Sequence, residues 1–247
     1  MSTQTLMTSI DIYCERTDAG YWSEPINAIT NLSFILAALW GYWTYHRLHK
    51  KNGETKEDIL ILIAIFMAGL IGVGSFLFHT HAQVWSSFAD VIPIWTFVAY
   101  YLFLAIYRIV GTSLVRAFRI YGITFVCIIA VLFAFSRFLL ATSETDAGGD
   151  GLNGSTQYLP GIIALYGFAL VLQLRKHAAR GWILAAAVVF TMSIFFRTID
   201  MRVCSAFPLG THFLWHTLNG LFIGLLLQTL VRFGRKSERA TVVDETS

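Results

Sequence analysis

Residues 59–79 read ILILIAIFMAGLIGVGSFLFH, a run without a single Asp, Glu, Lys or Arg that ends on a histidine. About 20 apolar residues in a helix are enough to cross the hydrocarbon core of a bilayer. The segment therefore predicts a membrane span, and the rest of the chain repeats the pattern. Hydrophobic residues make up 56% of the sequence and charged residues 13%, whereas a soluble domain carries roughly a quarter of its residues as charged ones. That charge is clustered between apolar runs. The four prolines and the lack of low-complexity tracts argue against disorder. A net charge of +3, confined to helix ends, gives no surface suited to nucleic acid.

Hydropathy and helix breakers predict an all-α, polytopic membrane protein with seven spans, at about 26–47, 58–79, 87–109, 116–140, 157–174, 181–200 and 210–232. Residues 1–25 form an extracytoplasmic segment, 26–233 the seven-helix domain, and 234–247 a flexible cytoplasmic tail. No cleavable signal peptide is visible, because Arg47, Lys50 and Lys51 follow the first apolar run instead of preceding it. Connections are short except for the Gly-rich stretch 143–155.

Basic residues orient the bundle. Lys50, Lys51 and Lys56 lie between the first two spans, Arg108, Arg116 and Arg119 flank the 3–4 connection, and Arg175, Lys176 and Arg180 separate spans 5 and 6. Arg232, Arg235, Lys236 and Arg239 follow the last span. The alternate connections hold only Arg202. By the positive-inside rule the N-terminus is outside and the C-terminus cytoplasmic. Cys14 and Cys204 then both face the outside, where they are either bridged or two free thiols. Cys127 falls mid-helix and reads as a small apolar residue.

Polar residues gather at the outer end. His212 and His216 are four apart and share a helix face, Ser75 and His79 do the same, and Asp90 enters the membrane from that side. Ionisable groups within spans face a bundle interior or cavity by default. Three imidazoles with an open fourth position suit catalytic zinc, and an interfacial belt of hydrogen-bonded histidines with Trp215 is the competing reading. His81 points to another face and reads as interfacial. Arg197 and Asp200, three apart, are placed to pair.

Three blocks resemble the alkaline ceramidases, within the wider superfamily of seven-helix membrane hydrolases that includes the adiponectin receptors. They are Tyr13-Cys14-Glu15 with Glu24-Pro25-Ile26-Asn27 and Asn31; Gly74-Ser75-Phe76-Leu77-Phe78-His79 with Asp90; and His212-Phe213-Leu214-Trp215-His216. The resemblance implies zinc (Zn2+) held by His79, His212 and His216, with Ser75 and Asp90 catalytic and a Cys14–Cys204 disulfide. The implied reaction is amide hydrolysis of ceramide or a related N-acyl lipid. It also implies calcium (Ca2+) in the N-terminal segment, which offers Asp11, Glu15, Asp18 and Glu24. Glu15 and Glu24 match the family's pattern; the aspartate stands one residue early and Thr17 replaces an asparagine. The expected partners are a membrane lipid substrate and the bilayer, with no nucleic acid and no obligate protein partner. The expected location is the inner membrane of a bacterium with the site toward the outer face, or an internal membrane in a eukaryote. A receptor-like or structural protein with non-catalytic zinc, and an ion transporter, are the competing functions.

Overall fold

The computed structural model describes residues 3–142 and 152–234. Most of the Gly-rich stretch, and the tail from residue 235 with its basic residues, lie outside the described residues. Side chains over much of the second half of the fourth predicted span, Arg137 included, lie outside them too.

The described chain is helical: α1 (Thr3–Leu6), α2 (Pro25–Thr30), α3 (Leu32–Lys51), α4 (Ile59–His81), α5 (Val84–Leu104) running into a π turn at Ala105–Ile109, α6 (Leu114–Thr142), α7 (Leu159–Leu174) after a 3-10 turn at Ser155–Tyr158, α8 (Arg180–Val203) and α9 (His212–Phe233). Among the described residues there is no strand, only one antiparallel bridge between Ser9 and Gln83. Ile59–His81, Val84–Ile109, Ser155–Leu174, Arg180–Val203 and His212–Phe233 are long and apolar enough to cross a membrane. Phe66, Ile92, Ile123 and Leu174 stand exposed on the bundle's exterior. Water would penalise such a surface, whereas lipid accepts it. The protein is a multi-pass membrane protein.

Six of the seven predicted spans coincide closely with helices, and the first differs in detail. It is split into α2 and α3 at Asn31, and it runs on to Lys51 instead of stopping at residue 47. The split has a local cause. Thr30 Oγ1 donates back to the carbonyl of Ile26 at 2.8 Å, and Asn31 Nδ2 to that of Asn27 at 2.8 Å. Side chains that compete for backbone groups in this way bend helices. Here the bend turns Thr30 toward α9.

Each long helix packs on its neighbour in sequence, and α9 returns to α3 and also touches α4, so the bundle closes around α9. Apolar helices in lipid gain little from hydrophobic association, and close backbone approach takes its place. On α9, a Cβ at Gly220 would lie 2.4 Å from Ser33 Oγ, and one at Gly224 would lie 3.0 Å from the Trp40 ring.

The tightest approach joins α4 to α5. Pro93 lies inside α5 and has no N–H, so the carbonyl of Ala89, four residues earlier, loses its helical donor. That carbonyl leans onto α4, where a Cβ on Gly74 would lie 2.0 Å from it. Glycine at 74 is thus a packing requirement, and it brings Ser75 beside Asp90.

The other end of the site is set by Asp200. Its Oδ1 accepts from the backbone N–H of Thr211 at 2.7 Å and of His212 at 2.9 Å, capping α9 where the first histidine stands. Its Oδ2 accepts from Cys14 N at 3.2 Å. Cys14 and Cys204 form a disulfide with a Cα–Cα distance of 5.3 Å. Gly210, at φ +63°, carries the chain between them, because a Cβ there would lie 2.2 Å from Asp200 Oδ1. The expected Arg197–Asp200 pair does not form: the carboxylate serves backbone donors, and Arg197 turns to Tyr13 Oη at 3.4 Å and to the Tyr158 and Trp215 ring faces.

Two substitutions test these joints. Gly74→Ala forces α4 and α5 apart and should cost about 1–3 kcal/mol, read as a lower thermal midpoint in detergent. Asp200→Ala strands three backbone donors and should cost on the order of 3 kcal/mol. Asp200→Asn keeps one acceptor for α9 and should fall between it and the parent in the same measurement.

Candidate metal centre

His79 lies in the last turn of α4, and His212 and His216 occupy the first two turns of α9. All three are buried, at 1, 1 and 2% exposure, and one ring nitrogen from each lies within 4.8 Å of the others. Among the described residues this group can hold a metal ion. The expected triad is thus brought together by two helices, while His81 stays outside it against Tyr21 and Trp85.

Hydrogen bonds fix which nitrogens are free. His79 Nδ1 is 2.6 Å from Glu24 Oε2, and a carboxylate accepts, so Nδ1 carries the proton and Nε2 its lone pair. His216 Nδ1 is 3.1 Å from Thr30 Oγ1. That hydroxyl already gives its single hydrogen to the α2 backbone, so it can only accept from His216, which again leaves Nε2 open. His212 stacks on Tyr13 with ring centroids 3.7 Å apart, and its Nδ1 is buried without a hydrogen-bond partner. Oriented neutral imidazoles whose other nitrogen bonds a carboxylate or hydroxyl are what a zinc site uses. The donor set fits zinc.

Backbone bonds hold the histidine-bearing turns of α9 in place. Ser33 Oγ donates to the carbonyl of His216 at 2.9 Å, and Ser193 Oγ to that of Trp215 at 3.0 Å, with Asn219 Nδ2 donating to Ser193 Oγ at 2.9 Å. Ser75 is buried one turn below His79. The carboxyl of Asp90 lies beside the Ser75 hydroxyl and within electrostatic reach of His79 and Arg197. Its Oδ1 is buried and unpartnered.

The acidic residues expected to hold calcium are engaged otherwise. Glu15 accepts from the N–H of Ile26 at 2.7 Å and of Asn27 at 2.8 Å, so both its oxygens cap α2. Burial pushes its carboxyl up, against the pull of those two donors. Glu24 accepts from Arg16 on one oxygen and from His79 on the other, with Asn27 Nδ2 at 3.2 Å. Burial raises the Glu24 carboxyl too, but the hydrogen bonds of His79 and Arg16 and the charge of Arg16 outweigh it and hold it below its ordinary range. Asp11 and Asp18 are exposed, and Asp18 Oδ1 accepts from Gly20 N at 2.6 Å. Among the described residues these groups form no three-ligand cluster, and they do not fit a calcium site.

Sequence reasoning did not find Arg16, Thr30 or the orienting role of Glu24. The one available signal was general: a metal-binding histidine needs an acceptor for its second nitrogen. Nothing in the spacing says which residue supplies it.

Among curated proteins, none matches the chain significantly. The family model described as Ceramidase matches residues 7–243. That match runs through the helices bearing the three histidines, Ser75 and Asp90 and takes in nearly the whole sequence, so the chain belongs to the ceramidase family.

Proposed function

We propose that this chain is a zinc-dependent intramembrane hydrolase that cleaves the amide bond of ceramide or a related N-acyl lipid, releasing a fatty acid and a sphingoid or other amine. The observation that carries this reading is the unpartnered carboxylate oxygen of Asp90 beside Ser75, next to three convergent buried imidazoles. A purely structural metal site has no use for a carboxylate in that position. A transporter would be expected to offer paired intramembrane carboxylates on several helices.

His79, His212 and His216 would hold the zinc, which when bound would supply Lewis acidity to polarise a carbonyl and lower the pKa of water. The protein's own groups do the rest. Glu24 and Thr30 hold His79 and His216 with Nε2 presented inward. Asp90 takes a proton from the attacking water through its free Oδ1 and returns it to the leaving nitrogen, without which an amide cannot expel its amine. Ser75 donates a hydrogen bond to the oxygen on which negative charge develops. Tyr13, whose phenol burial pushes well above its ordinary range, remains protonated and walls one side of His212.

In this reading all seven long helices span the bilayer. The three histidines mark the outer end, and the basic connections, Arg175 to Arg180 among them, lie in the cytoplasm. A site at membrane depth suits a two-chain lipid that does not readily leave the bilayer.

Chelator treatment should abolish fatty-acid release from detergent-solubilised protein, and zinc should restore it; release that survives complete zinc removal would overturn the reading. Asp90→Asn should lower kcat by about 10²–10⁴-fold while the protein keeps its zinc, measured by metal analysis alongside turnover. Ser75→Ala should lower kcat by up to about 10²–10³-fold with little change in KM.

A further inference from the structure

Arg16 is 7% exposed and sits where the N-terminal segment meets the end of α4. Its Nε donates to Glu24 Oε1, its Nη1 to the carbonyls of Asp18 at 3.0 Å and Gly20 at 3.4 Å, and its Nη2 to the carbonyl of His79 at 3.3 Å. One carboxylate and three backbone carbonyls are oxygen ligands of the type a calcium ion gathers. A planar fork of fixed donors gathers them equally well and needs no ion from solution. Arg16 neutralises Glu24, and Glu15 accepts on both oxygens from the backbone of α2 and does not face the cradle.

We propose that Arg16 is a built-in cation of this protein: its guanidinium fills the oxygen cradle formed by Glu24 and the carbonyls of Asp18, Gly20 and His79, makes calcium unnecessary there, and acts as a positioning residue for the metal ligand His79. It grips His79 twice. The side chain is held through Glu24, whose other oxygen takes the imidazole N–H at 2.6 Å, and the main chain through the His79 carbonyl itself. Without the guanidinium, Glu24 at 2% exposure would be a buried carboxylate lacking its charge partner. Such a group turns toward other donors, and that change releases the hydrogen bond that fixes the His79 tautomer.

The positioning half of this inference rests on the zinc reading above; the calcium half does not. The test uses the full chain purified in detergent. Calcium content after dialysis, and the thermal midpoint in millimolar calcium against a calcium chelator, are measured on the parent protein. The expected result is no stoichiometric calcium and no shift; bound calcium or a calcium-dependent midpoint overturns the proposal. Zinc affinity is then measured by competition with a chromogenic chelator. Arg16→Met should weaken it by about 10–100-fold, the range for loss of a group supporting a metal ligand. Arg16→Lys should fall between, since an ammonium cannot span the carboxylate and three carbonyls together. A folded Arg16→Met protein, by helicity and size, with the parent's zinc affinity overturns the positioning role. If that variant does not fold, Arg16→Lys carries the comparison, and parental zinc affinity in it counts against the role. A parent protein that takes up no zinc defeats the hydrolase reading instead, and leaves the calcium measurement to decide whether Arg16 replaces the ion.

Discussion

Glu24 accepts from His79 on one carboxylate oxygen and from Arg16 on the other, and through it three parts of the chain meet. It stands immediately before α2, where the N-terminal segment turns into the bundle. A charge buried at the edge of a membrane persists only where counter-charge and hydrogen bonds complete its shell. Here the shell draws Arg16 from the N-terminal segment, His79 from α4 and Asn27 from α2. The N-terminal segment thereby becomes part of the metal centre, and the antiparallel pairing of residues 8–10 with 82–84 keeps it against the same corner.

A second buried carboxylate plays a comparable part beside His212. Asp200 holds the first turn of α9 by two backbone N–H groups and holds Cys14 by a third. The disulfide fastens the end of α8, which carries Asp200, covalently to the same N-terminal segment. His212 therefore has its backbone fixed from α8 and its ring stacked on Tyr13, one residue before the cysteine. The two carboxylates share a chemistry and differ in what they hold, since Glu24 orients an imidazole and Asp200 orients a helix.

The α4–α5 contact brings in the remaining chemistry. Proline at 93 frees a carbonyl, glycine at 74 leaves room for it, and Ser75 and Asp90 follow Gly74 and Ala89 into the site. Two departures from ideal helix composition, placed opposite one another, set the distance between a hydroxyl and a carboxylate on different helices. Between α9 and α3 small residues suffice, because Gly220 and Gly224 let the two helices settle together.

The chain of apolar runs, their lengths and their order were legible in residues such as 59–79, because a lipid-facing helix must be apolar along its whole length and breaks only where the sequence turns polar. The gathering of the histidines, Ser75 and Asp90 at one end was legible as well: helical period puts His212 with His216 and Ser75 with His79, and ionisable side chains in a span point inward, while the zinc set itself came from the resemblance. Those are local rules, and they operate without knowledge of neighbours. Which side chain sits against which lay beyond them. Glu15 and Glu24, read by resemblance as calcium ligands, turn out to cap α2 and to orient His79, and Asp200 passes over Arg197, three residues away, for donors on α9 and beside Cys14. Carboxylates of one kind are interchangeable in sequence. Their roles were decided only when the bundle closed, because a buried charge bonds to whatever donors the fold brings within about 3 Å of it, and those donors came from segments up to 186 residues away.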